Sequence, residues 1–377
     1  MPASTSLSPL STFALRRVES AATPGETGSL QSTARPAPLS RISSDGFDAA
    51  PARAPAGLDA PGAKHLFGGL GGGIWDVIRG GINAVFGKDS SGQIGWMEKA
   101  NLPPTRDITS DFRDAYAAQR TGANILPPEA KDHVYLTVDG LTGENWPGYM
   151  EANREGLRDR GLDVREIKVD TEASTLTNAE TIRKAIESVQ AEGKQVVLIG
   201  HSKGGVDITA ALALHPELKD SVRAVVTMQS PYGGAPLATD LLSDPLTKAG
   251  VDALAKYIFN GDPDTVRDLT YAYRQKFIQE HPYPTDIPTV SLGTSSDSQL
   301  SLVSAPANYT KLRYGEKTDG LVSPKDARIP GSNTVTLPDL DHVNSTMPNF
   351  PQLSRWDPGD LTVALVSMAL KYPPVVQ

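Results

Sequence analysis

The chain has 377 residues, 36 Lys and Arg against 44 Asp and Glu for a formal net charge of -8, six His and no cysteine. The length suits one large α/β domain with added segments. The acidic balance argues against nucleic acid as the main partner, because phosphate binding calls for a basic face. The absence of cysteine excludes disulfides, thiolate nucleophiles and cysteine-ligated metal. No apolar run reaches the roughly 20 residues that a membrane-spanning helix needs.

Residues 1–64 are rich in Ser, Thr, Ala and Pro and show no apolar periodicity. Such a composition does not offset the entropy of ordering, so a disordered leader is expected. No apolar stretch follows Arg16-Arg17, so it does not read as a secretory signal peptide, and the first acidic residue is Glu19. Ser-rich, acid-poor leaders of this kind are similar to those of bacterial type III effectors and to plastid transit peptides. The expectation is secretion by a bacterium with delivery into a host cell; a plastid or cytoplasmic location and a plain flexible tail are the alternatives. Residues 65–92 form a second, glycine-rich segment. Over 66–86 a helix would gather Phe67, Leu70, Ile74, Val77, Ile78, Ile82, Val85 and Phe86 on one side. Seven glycines lie there, each costing about 1 kcal/mol in a helix. Such a helix needs a surface, either the body of the protein or lipid, with Trp75 and Phe67 at headgroup level.

A single large domain is expected over 93–377. Its pattern predicts a helix over 107–119, a strand over 133–138 and a helix over 147–160 closed by Gly161. A strand over 164–169 follows, then a helix over 178–192 with Asn178 as N-cap and Gly193 at its end. Strands are predicted at 195–199, 222–228, 289–292 and 334–337, with a helix at 206–214 after the first of them. Strands alternating with helices imply a mostly parallel sheet with helices on both faces. Residues 236–288 interrupt the alternation with helical pieces at 251–259 and 266–279, and form a candidate cap or lid.

The run from Val196 to Ile199 leads into Gly200-His201-Ser202-Lys203-Gly204, a Gly-x-Ser-x-Gly pentad between strand and helix. A serine hydroxyl is a weak nucleophile and needs exposure, aim and an adjacent base. A sharp strand-to-helix turn supplies the first two, and Gly200 and Gly204 omit the Cβ atoms that would crowd it. The base is found by elimination. His65 lies in the glycine-rich segment, His133 opens a strand, His215 ends a helix and His281 lies in the insertion. The ring of His201 is expected to point away from its neighbour's hydroxyl. His342 remains, on a loop after the 334–337 strand, and fits the chain order serine, acid, histidine. For the acid, Asp319 before Gly320 is preferred and Asp297 is the alternative; Asp339 and Asp341 are too near His342 in sequence. The backbone N–H of Lys203 and that of Leu141, in the 139–143 loop, are the candidate oxyanion donors. The Lys203 side chain reads as a solvated lysine or as a charge at the mouth of the site.

The elbow, Val138-Asp139-Gly140-Leu141, Ser230-Pro231-Tyr232-Gly233-Gly234-Ala235-Pro236, Thr318-Asp319-Gly320-Leu321-Val322-Ser323 and Leu340-Asp341-His342-Val343-Asn344 together resemble a serine lipase or esterase of the α/β-hydrolase family, in that family's order over about 133–366. The resemblance implies an α/β-hydrolase fold with a helical cap, and hydrolysis of carboxylic esters through an acyl-enzyme, with acyl lipids, including phospholipids, as substrates. It implies no cofactor and no metal. One departure stands out: Asp139-Gly140 occupies the place where the family usually has His-Gly. A catalytically silent binding protein and an acyltransferase are the competing expectations, and 66–86 would supply any peripheral membrane contact.

Overall fold

In the computed structural model the described residues are 92–243, 266–348 and 354–375. The expected leader at 1–64, the glycine-rich segment up to residue 91 and the insertion helix at 251–259 lie outside them. Seven strands form one sheet: β1 (Arg106–Asp107), β2 (Val134–Val138), β3 (Asp163–Glu166), β4 (Val196–His201), β5 (Val222–Met228), β6 (Thr289–Ser295) and β7 (Asn333–Pro338). Their order is β1-β7-β6-β5-β4-β2-β3, and every neighbouring pair is parallel. The helices are α1 (Thr109–Arg120), α2 (Glu151–Arg158), α3 (Thr175–Ala191), α4 (Lys203–Leu214), α5 (Pro236–Ser243), α6 (Tyr271–Glu280), α7 (Ser304–Tyr314) and α8 (Pro358–Lys371). None of the described helices is long and apolar enough to cross a membrane.

Successive side chains of a strand face opposite sides of a sheet. Val197 and Ile199 of β4 therefore join Phe112 of α1, Leu157 of α2 and Leu365 of α8 in one core cluster. Val196 and Leu198 join Ile182 and Ile186 of α3 and Ile208 of α4 in the other. With both faces covered, β4 is buried throughout and β5 at every residue but Arg223, and both read as near-continuous apolar runs, as a parallel sheet requires. Where α2 crosses α8 the backbones nearly touch. A Cβ on Gly156 would lie 2.5 Å from the Gly359 Cα.

Four local expectations are revised. The edge strand β1 has two exposed residues and no apolar pattern, and it exists only through its pairing with β7. The helix expected from Asn178 begins at Thr175, and Ser174 is the cap, accepting the Thr177 N–H. Asn178 is instead drawn inward, its Nδ2 donating to the Asp170 carbonyl at 2.9 Å and to Asp207 Oδ2 at 2.8 Å. Within the insertion, α6 buries Tyr271, Arg274, Phe277 and Ile278. Phe277 and Ile278 belong to the same core cluster as α3 and α4, so this part of the expected cap is packed into the body of the protein. Helices α7 and α8 carry no counterpart among the expected elements.

Because all strands run the same way, the loops that follow β2, β4, β5, β6 and β7 gather at one edge of the sheet. Ligand sites of open α/β sheets lie at that carboxyl edge.

Candidate active site

Ser202 sits between β4 and α4 at φ 53°, ψ -127°, a conformation that a non-glycine residue adopts only when its surroundings hold it there. The surroundings are three glycines that could not be anything else. A Cβ on Gly200 would lie 2.5 Å from the Gly205 nitrogen. One on Gly204 would lie 2.4 Å from the Val138 carbonyl oxygen of β2, and one on Gly205 would lie 2.0 Å from Ser230 Oγ, just beyond β5. The elbow is thus clamped between its two neighbouring strands, and the Ser202 N–H donates to the Met228 carbonyl at 2.9 Å. The Ser202 side chain is half-buried, and its hydroxyl has no hydrogen-bond partner among the described residues.

The loop after β7 carries His342, and its Nδ1 lies 2.8 Å from Asp319 Oδ2. The other carboxylate oxygen of Asp319 accepts the N–H groups of Leu321 at 2.9 Å and Val322 at 2.8 Å. The main chains are joined as well, the His342 N–H donating to the Asp319 carbonyl at 2.9 Å. Asp319 is 1% exposed and His342 6%, so the pair is withdrawn from bulk water while both side chains have their orientation set. Asp297 stands elsewhere. It is exposed and held by Lys311 at 2.8 Å and Lys317 at 2.5 Å, and these two bonds draw its carboxyl below its ordinary range. Asp339 pairs with Arg355 at 3.3 Å, and Asp341 turns its carboxylate to the N–H groups of Val343 and Asn344.

The 139–143 loop lies over the elbow. A Cβ on Gly140 would be 2.9 Å from the Ser202 Cβ and 2.5 Å from the Tyr149 hydroxyl. Lys203 follows the serine directly at the head of α4, and Leu141 follows Gly140, the residue by which this loop approaches the serine. Asp139, the departure from the usual His-Gly, forms a buried ion pair with Arg154 Nη1 at 3.0 Å. Burial pushes the Asp139 carboxyl upward and the guanidinium opposes it. Arg154 also donates to the Tyr149 carbonyl at 2.6 Å and to Glu151 at 2.9 Å. The loop is therefore braced from below by an arginine.

The Lys203 side chain is neither solvated nor at the mouth of the site. It is fully buried and its Nζ contacts Asp207 Oδ2 at 2.8 Å and Oδ1 at 3.1 Å, one turn along α4. The cause is tertiary: Asp207 is fixed from the other side by Asn178 of α3, and a buried carboxylate needs a cation. Burial raises the Asp207 carboxyl while Lys203 opposes the shift.

The His201 ring points away from the Ser202 hydroxyl, as expected, and meets several other partners. Its Nδ1 lies 2.5 Å from the Tyr149 hydroxyl and its Nε2 lies 3.1 Å from Gln229 Oε1. The ring stands 4.7 Å, centroid to centroid, from that of His342. A polar Gln229 directly after the apolar β5 run is the signal that marks this cluster in the sequence. Among the described residues no group of three or more His, Asp and Glu is arranged to hold a metal ion.

Comparison with known proteins agrees with this fold. Residues 166–304 match the model of the PGAP1-like alpha/beta domain, a stretch that contains Ser202 and ends before Asp319 and His342. A metagenomic carboxyl esterase is 20% identical and superposes with a TM-score of 0.60, covering 72% of this chain and 96% of that one. The mature lipase of Bacillus licheniformis is 23% identical, covering 58% of this chain and 87% of that one at a TM-score of 0.49. A GPI inositol-deacylase of Debaryomyces hansenii is 26% identical over 214 residues, which are 55% of this chain and 17% of that protein. This chain therefore spans only a small part of the length of the curated relative it matches.

Proposed function

We propose that this chain, an α/β-hydrolase with a PGAP1-like alpha/beta domain, hydrolyses carboxylic esters of acyl lipids with Ser202 as nucleophile, His342 as base and Asp319 as the acid that orients it. The observation that carries this reading is the buried pair of Asp319 and His342 at 2.8 Å, at the sheet edge that holds the strained serine elbow. With Asp319 accepting from Nδ1, the ring keeps its proton there and offers Nε2 as a lone pair. His342 takes the proton of Ser202 as the oxygen attacks the ester carbonyl. Asp319 stabilises the imidazolium without itself taking the proton. The N–H groups of Lys203 and Leu141 hold the negative charge that develops on the carbonyl oxygen, each such donor being worth about 3 kcal/mol. His342 then protonates the departing alcohol, and water repeats the steps on the acyl-enzyme. The name of the yeast relative, an inositol-deacylase, favours removal of an acyl chain from a polar lipid.

The test is covalent labelling with a fluorophosphonate and mapping of the adduct by mass spectrometry, together with turnover of short p-nitrophenyl esters. Labelling at Ser202 and loss of turnover in Ser202→Ala are expected. A Ser202→Ala protein that still turns over at the native rate refutes the assignment. An unlabelled Ser202 points to a silent binding fold, and acyl transfer to an added alcohol in preference to water points to an acyltransferase.

A further inference from the structure

Beneath the elbow lies a closed set of polar side chains that the proposed reaction leaves unused: Tyr149, His201, Gln229 and Ser345. They come from four parts of the chain, namely the segment before α2, the end of β4, the residue after β5 and the loop after β7. His201, Gln229 and Ser345 are each at most 1% exposed, so each polar atom there has to find a partner within the protein.

The direction of these hydrogen bonds follows from the groups that can only accept. Gln229 Nε2 donates to the Asp341 carbonyl at 3.0 Å and to the Thr294 hydroxyl. A carbonyl has no proton to give, so this fixes which end of the amide is nitrogen and turns Oε1 toward His201. Oε1 accepts from the Ser345 hydroxyl and faces His201 Nε2 at 3.1 Å. That ring nitrogen therefore carries the hydrogen. Nδ1 is left with a lone pair, and the Tyr149 hydroxyl at 2.5 Å donates to it. The phenol oxygen in turn packs against Gly140, at the start of the oxyanion loop. A polarised chain thus runs from that loop, through Tyr149, His201 and Gln229, to the carbonyl of Asp341, the residue before His342. Gln229 is held at φ 52° to take its place in it, one of five non-glycine residues at positive φ among the described residues, Ser202 being another, and such strain persists only where the surroundings over-determine it.

We infer that Tyr149, His201 and Gln229 are positioning residues that hold the oxyanion loop and the His342 loop in register, with His201 kept as a neutral Nε2–H imidazole beside the tilted ring of His342. The inference rests on the reading of Ser202 and His342 given above. Neutrality matters because the two rings stand 4.7 Å apart. An imidazolium at His201 would oppose the one that forms on His342 during attack. The burial that surrounds His201, with the His342 charge next to it, acts in the same sense and disfavours the charged ring.

The first test needs no variant. In the full chain labelled with nitrogen-15 at histidine, one ring is expected to show the neutral Nε2–H pattern unchanged between about pH 5 and pH 8. Its signal is assigned by its loss in His201→Gln. A His201 ring that titrates in that range, or that carries its hydrogen on Nδ1, overturns the inference. The second test is Tyr149→Phe, which removes the donor to Nδ1 and leaves the ring volume. Expected are a fall of about ten- to a hundredfold in kcat and in the rate of fluorophosphonate labelling, KM within about twofold, and an unfolding transition that remains cooperative. Native kcat in Tyr149→Phe overturns the positioning role. Native turnover in Ser202→Ala would instead remove the catalytic reading, while the imidazole spectrum would still report the chain of hydrogen bonds.

Discussion

Asp319→Asn keeps the heavy-atom count at the site, removes one negative charge and reverses the polarity of one hydrogen bond. In the native protein Asp319 Oδ1 accepts two backbone N–H groups, from Leu321 at 2.9 Å and Val322 at 2.8 Å. An asparagine keeps its oxygen on that side, because its NH2 group would otherwise face two donors. The NH2 then points at His342 Nδ1, across the 2.8 Å that now separates it from Oδ2. A donor at that place requires a lone pair on Nδ1, so the ring proton moves to Nε2, the nitrogen that has to accept the proton of Ser202. The wrong tautomer in a serine triad lowers kcat by about 10⁴-fold, or about 5.5 kcal/mol at 1.36 kcal/mol per decade. Stability should change little, since both backbone N–H groups stay bonded. The assay is kcat and KM on p-nitrophenyl butyrate with a parallel melting curve. Asp297→Asn is the control. Its exposed pairs with Lys311 and Lys317 are screened by water, so its kcat should stay within about twofold of native. An Asp319→Asn enzyme that keeps more than about a tenth of native kcat, or a larger loss in Asp297→Asn, refutes this reasoning.

Two further expectations concern stability. Lys203→Met should lower the unfolding free energy by about 3 kcal/mol, because it leaves Asp207 buried without its cation; an unchanged urea midpoint would be the behaviour of a solvated lysine and would contradict the buried pair. Asp326 is buried, and burial pushes its carboxyl up from 3.8 to about 7, against the Tyr271 hydroxyl at 2.6 Å and the Gly95 N–H at 2.8 Å that favour its charge. With the folded value above the unfolded one, the native state binds the extra proton between about pH 4 and pH 7, so this group's contribution to stability falls as pH rises through that window and is level above it. Asp326→Asn should remove that slope from urea midpoints measured across the window, and an identical slope in the variant refutes it.

Much of the architecture is legible in one dimension because its signals are local. The 222–228 apolar run coincides with β5, and the runs at 195–199 and 334–337 lie within a residue or two of β4 and β7. An apolar run between turn residues is a property of contiguous side chains. The serine elbow is legible for the same reason: its glycines and its serine are neighbours in the chain, and the strain at φ 53° arises within that pentad and its two flanking strands. β1 was not legible, since two exposed residues become a strand only by lying next to β7.

At the site the division is sharper. The residues Ser202, Asp319 and His342 could be named from motif and chain order, but chain order left Asp319 and Asp297 both open. Only the folded chain brings one carboxylate to 2.8 Å from the imidazole and hands the other to two lysines. Lys203 and His201 both sit inside the motif itself, yet the lysine is buried rather than solvated, and the histidine ring, turned away from the Ser202 hydroxyl as expected, meets partners that its place in the chain does not name. The partners that decide their roles are Asn178 behind Asp207 for the lysine, and Tyr149, Gln229 and Ser345 for the histidine. By itself the sequence determined which chemistry-bearing groups the chain has and which strand end carries each. Tertiary structure alone decided which are buried, which are paired and which face each other, because desolvation and hydrogen bonding act over a few ångströms in space and have no fixed separation along the chain.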